Sequence, residues 1–69
     1  MKSIYDYVKE QAMNRNISIK KMCSEIGISY QAIYLFKKHH KRLSMLTLRK
    51  IAIYFDEDFD YIKKLNIYE

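Results

Sequence analysis

Proline is absent from this 69-residue chain, and there is a single glycine and a single cysteine. With so few residues that interrupt a helix, the chain is expected to be soluble and mostly helical. One cysteine excludes an internal disulfide framework and fits a reducing cytoplasm, the expected location. No apolar window approaches the ~20 residues that span a bilayer, so no membrane is expected as a partner. The start, MKSIYDYVKEQAM, meets a polar residue at every second or third position, and no secretory leader is expected. Glycine-rich phosphate loops and nucleophile elbows are missing too, so the reading is not an enzyme and no cofactor is expected. Neighbouring His39 and His40 project in different directions, and with one cysteine in the chain no metal is expected. Cys23 falls on an inward face, whereas a reactive thiol needs an exposed electropositive niche. The acids from Asp56 to Asp60 lack the ligand spacing and central glycine of a calcium loop.

What is present is charge and apolar residues in a regular pattern. A 49% hydrophobic content is enough for one small core, so residues 1–69 are read as one domain. Net charge is +5, unevenly spread. Residues 1 to 55 hold eleven Lys or Arg against three acids, +8, while residues 56 to 69 hold two Lys against five acids, −3. The first region attracts a polyanion, and nucleic acid is the commonest one in a cytoplasm.

The most informative stretch is Ser18 to Lys37. Ser18 can cap a helix whose Ile19, Met22, Cys23 and Ile26 recur at helical spacing, and Gly27, the lone glycine, follows as the stop. Ile28 points back to the core and Ser29 is a second cap. The next helix runs Tyr30 to about Lys38, with Ile33 and Phe36 inward and Tyr30, Gln31, Tyr34, Lys37 and Lys38 on another face. Helix, short glycine turn, helix with a polar aromatic face is the helix-turn-helix pattern.

The spacing M22-C23-x-x-I26-G27-I28-S29-x-x-A32-I33-x-x-F36, with a helix before it and LxxIAxxF after it, resembles the Cro-like and lambda-repressor-like helix-turn-helix family across about residues 3 to 65. The resemblance implies an all-α, compact five-helix lambda-repressor-like domain that binds double-stranded DNA as a regulator, expected to repress and to act as a homodimer. It places Tyr30, Gln31 and Leu35 toward bases, with Tyr34 beside them. Gln31 can pair its amide with adenine; for the tyrosines, ordinary amphipathic packing competes with base contact. Phosphate contacts are expected from Ser29, from Lys20 or Lys21 near the start of the second helix, and from Lys37, Lys38, Lys41 and Arg42. The small size resembles a phage, plasmid or mobile-element regulator.

Two positions depart from the family. Ile19 stands where many relatives have a glutamine that braces the recognition helix. Ala12 and Lys37 stand where many pair an arginine with a glutamate. Both partners are replaced together, which leaves no buried unpaired charge. Lys37 is then expected to reach phosphate or to pair with Glu10.

Elsewhere, a first helix from about Ser3 to Asn14 carries Ile4, Val8 and Ala12 or Gln11, widened by Tyr5, Tyr7 or Met13. Ile17 is expected to pin the loop that follows. The run KKHHKR ends the recognition helix and enters the next loop, as a solvated end that suits the dipole or as a phosphate clamp. Ser44 can cap a helix from Met45 to Phe55 with Leu46 or Leu48, Ile51, Ala52 and Phe55 recurring. Asp58 can cap a last helix that buries Phe59, Ile62 and Leu65. The dimer surface is expected at Phe55, Phe59, Tyr61, Ile67 and Tyr68, more apolar surface than a five-helix core needs. The alternative reading is a helical protein-interaction module, antirepressor or antitoxin-like; a third is nonspecific coating of nucleic acid.

Overall fold

Serines punctuate the chain just before its apolar-periodic segments, and the computed structural model, which describes residues 2–67, turns them into helix starts. Five helices follow in order: α1 Ile4–Asn14, α2 Ile19–Ile26, α3 Tyr30–His39, α4 Met45–Tyr54 and α5 Phe59–Leu65. No strand occurs among the described residues. The Ser3 hydroxyl accepts from the Asp6 N–H at 3.2 Å while the Asp6 carboxylate accepts from the Ser3 N–H at 3.1 Å, a closed capping box. Ser18, Ser29 and Ser44 accept in the same way from Lys21, Ala32 and Thr47. Asp58 occupies the N-cap position of α5, but its side chain makes no capping hydrogen bond. That corrects the expectation from sequence: the position is right and the contact is not made.

Three helix ends share one device. Asn16, Gly27 and Asp56 each take a left-handed conformation. The next residue then donates back to a carbonyl of the preceding helix, Ile17 to Ala12 at 3.0 Å, Ile28 to Cys23 at 3.0 Å and Glu57 to Ala52 at 2.8 Å. His40 is left-handed as well, directly after α3.

Helix α1 packs against α2, α3 and α5, and α4 packs against α2 and α5. Their inward faces join in one core of Ile4, Tyr7, Val8, Ala12, Met22, Cys23, Ile26, Ile33, Phe36, Leu48, Ile51, Ala52, Ile62 and Leu65, together with Leu43 from the loop before α4. Ile28, Phe55 and Phe59, which the spacing turns inward, are half-buried against it. The choice between Leu46 and Leu48 falls to Leu48, 1% exposed against 64%. Met13 is exposed and Tyr7 is buried. Tyr7 can be inside because its hydroxyl donates to the Glu57 carboxylate at 2.8 Å, joining α1 to the α4–α5 turn. Burial and that bond together hold the Tyr7 phenol well above its ordinary pKa.

Candidate nucleic-acid interface

Two buried residues decide how α3 sits. Ile33 and Phe36 are both 0% exposed, so the helix is turned with the opposite arc outward. That arc carries Tyr30 at 42% exposure and Tyr34 at 45%, with Gln31, Lys37 and Lys38 exposed beside them. Leu35 stands at the edge of the arc and is half-buried, so it offers less surface than the other three base-facing candidates. Ser29 is exposed, and its hydroxyl is already accepting from Ala32.

The turn before α3 is held from outside the motif. Gly27 has φ 87 and ψ 31, and its carbonyl accepts from the Lys50 ammonium at 3.2 Å. One turn further along α4, the Tyr54 hydroxyl donates to Glu25 at 3.2 Å. Helix α4 thus fixes the end of α2 at two points. Ile19 replaces the polar brace with a half-buried apolar contact to the core.

Lys37 does not pair with Glu10. Its ammonium donates to the Tyr5 hydroxyl at 3.3 Å and lies 4.7 Å from that ring's centroid, while Glu10 accepts Lys2 at 3.1 Å. The reason is angular: five residues along a helix place Glu10 about 140° around α1 from Tyr5, and only Tyr5 faces α3. The α1 to α3 link that many relatives make with charges is made here by a cation on a phenol.

The last turn of α3 keeps Lys38 and His39 exposed, and the loop after it keeps His40, Lys41 and Arg42 exposed while Leu43 is buried. Lys20 and Lys21 are exposed at the start of α2. Acids sit in the first turn of α1 and α5, as Asp6 and Asp60, but α2, α3 and α4 have none there. The positive ends of α2, α3 and α4 therefore have no acid in the first turn to offset them, and Lys20 and Lys21 add charge of the same sign at the start of α2. Among the described residues no group of three His, Cys, Asp or Glu could hold a metal ion, and no helix is long and apolar enough to cross a membrane. Cys23 is 0% exposed, and burial pushes its thiol up to about 11.

At the α4–α5 end, the expected dimer residues divide. The Phe55 ring meets Tyr7 and Tyr54 edge-on, with the Arg15 guanidinium 5.2 Å from its centroid. Phe59 is covered by Arg49 and Lys63. Tyr61 and Ile67 are exposed; Tyr68 lies outside the described residues. Ile53, which the sequence did not single out, is 78% exposed. It borders an open groove of about 340 Å³ lined by Arg49, Ala52, Asp56, Glu57 and Phe59. The helical period could have flagged Ile53, since it falls outside the arc of Leu48, Ile51, Ala52 and Phe55.

Comparison with known proteins agrees with this geometry. Residues 8–62 match the family model of the Cro/C1-type HTH DNA-binding domain. No curated protein and no solved structure matches the chain.

Proposed function

Because the chain belongs to the Cro/C1-type helix-turn-helix DNA-binding family, we propose that it is a sequence-specific regulator whose α3 enters the major groove of double-stranded DNA. The observation that carries this reading is the division of α3: its apolar residues are wholly buried, and its tyrosines, glutamine and lysines form one exposed arc. A major groove admits a helix, and each base pair presents a distinct pattern of donors and acceptors there. Gln31 is the residue for direct readout, giving and accepting one hydrogen bond each with adenine. Tyr30 and Tyr34 flank it with a hydroxyl for phosphate or base and a ring for a thymine methyl. Leu35 adds apolar contact from the edge.

Phosphate contacts come from Ser29, Lys20, Lys21, Lys37, Lys38, Lys41 and Arg42, which set register and supply affinity that falls with salt. If about half of the twelve such cations on a dimer meet phosphate, about six contacts, affinity falls roughly as the fifth power of salt concentration. A domain seated on an operator excludes other proteins from the same base pairs, so repression needs no further part. The protein acts where the duplex is, in the cytoplasm.

A homodimer on a two-fold operator gives such a small domain two half-sites. Its contact surface lies at the α4–α5 end, with Ile53, Tyr61 and Ile67 exposed, Phe55 and Phe59 supporting them from below, and Tyr68 following in the sequence. Arg49 and Asp56 stand on either side of Ile53 along the chain and line one groove. A two-fold axis near Ile53 brings each Arg49 to the other copy's Asp56, so the face complements itself.

The test is a fluorescence titration against random duplex and against duplex enriched by selection, each at two salt concentrations. The expected result is a preferred sequence whose advantage falls in Gln31→Ala by ~1–3 kcal/mol. Equal binding to all duplexes would mean coating. No binding to any would leave the protein-interaction module.

A further inference from the structure

The carboxamide of Asn66, the residue directly after α5, makes a reciprocal pair with the backbone of Leu43. The Leu43 N–H donates to Asn66 Oδ1 at 2.9 Å, and Asn66 Nδ2 donates to the Leu43 carbonyl at 3.0 Å. The pair is partly buried and joins residues 23 apart in sequence. It occupies both polar groups of Leu43, whose side chain is in the core. Leu65, the residue before Asn66 and the last of α5, is buried as well, so α5 presents Asn66 from a fixed point.

Residues 40 to 44 have no regular secondary structure. Their start is set by the left-handed His40, and Lys41 and Arg42 lie between it and the clasped Leu43. We propose that Asn66 is a positioning residue for DNA binding: by clasping Leu43 it holds the Lys41–Arg42 loop in the place from which it meets phosphate. This inference rests on the reading of α3 and its following loop as the DNA-binding surface. Holding the loop in the free protein removes an ordering cost that two long cationic side chains and their backbone would otherwise meet on binding. The residue that ends the last helix thereby contributes to DNA affinity through hydrogen bonds, without touching the duplex.

The test combines Asn66→Ala with the pair Lys41→Ala and Arg42→Ala. In amide exchange without DNA, the Leu43 N–H is expected to be protected in the wild type and to lose that protection in Asn66→Ala. At a temperature where circular dichroism shows every variant fully folded, Asn66→Ala weakens binding roughly ten-fold, equally for enriched and random duplex. Added to the Lys41→Ala, Arg42→Ala background, the same substitution has no further effect, because there are no loop cations left to position. A purely structural Asn66 would lower the melting temperature and leave the affinity of the folded protein unchanged, or would add its effect in full to that of the double variant; either result overturns the proposal. Unchanged protection at Leu43 overturns it too. Loss of Leu43 protection in a protein whose wild type binds no duplex would overturn the DNA-binding reading itself.

Discussion

Lys37 connects the stability of the free protein to its grip on DNA, so its removal is informative on both. Its ammonium is exposed, 4.7 Å from the Tyr5 ring centroid and 3.3 Å from the hydroxyl. At an exposed site a cation over an aromatic ring contributes ~0.5–1 kcal/mol. The hydrogen bond in solvent adds little to that. A double-mutant cycle of Lys37→Met with Tyr5→Leu, read by urea unfolding, is therefore expected to give a coupling energy of ~0.5–1 kcal/mol. In thermal unfolding that coupling corresponds to ~2–8 °C. A phosphate contact competes with so small a tether, and the ammonium is expected to leave Tyr5 when DNA is bound. Lys37→Met should then reduce the salt slope of binding by about 0.9 per protomer. Tyr5→Leu, which frees the ammonium in advance, should leave that slope unchanged and tighten binding by about two- to five-fold. A coupling energy of zero, or an unchanged slope in Lys37→Met, would refute this reasoning.

Tyr7→Phe removes the hydroxyl that reaches Glu57 at 2.8 Å and leaves the carboxylate half-buried without that donor, so stability should fall by ~1–2 kcal/mol in urea unfolding. The pH dependence follows from raised pKa values. Burial on folding pushes the Cys23 thiol from its ordinary 9.0 up to about 11, and burial also shifts Tyr7 upward from 10.0. The folded state thus binds these protons more tightly: the stability tied to Cys23 is full below pH 9.0 and declines as pH rises toward about 11, and that tied to Tyr7 declines above pH 10.0. Urea midpoints across that range should fall, less steeply in Cys23→Ala; a rise would contradict the assignment. Gly27→Ala meets no atom within 4 Å of the added carbon, so its cost should be the left-handed backbone alone, ~1–2 kcal/mol, with Gly27→Asn losing less. Ile53→Asp at a 78% exposed position should leave the melting temperature unchanged while weakening self-association at least about ten-fold in sedimentation equilibrium.

The elements legible in the sequence are those set by neighbours in the chain. Ser18, Ser29 and Ser44 cap as expected because a hydroxyl three residues before an N–H needs nothing from elsewhere. Gly27 was legible because it is the only residue in the chain without a Cβ. Asn16, His40 and Asp56 take the same left-handed backbone without such a mark, under the constraint of loops that must close around the core. Tyr7 and Tyr5 look alike on the helical period. Their different fates depend on Glu57, fifty residues away, and on Lys37, neither of which leaves a trace in α1. The outward arc of α3 follows from Ile33 and Phe36, whereas the Asn66 clasp pairs a carboxamide with backbone groups, which every residue has. The acids of the last turn of chain misled in one place: Asp58 stands at the cap without using its carboxylate.

Amide and side-chain chemical shifts of the labelled protein, followed as the enriched duplex is added, bear most directly on whether α3 is the reading surface. The largest changes are expected at residues 29 to 42, with the Gln31 side-chain amide among them and the α4–α5 face little affected. Changes concentrated on α5 or around Ile53, with Tyr30, Gln31 and Tyr34 unmoved, would contradict the account.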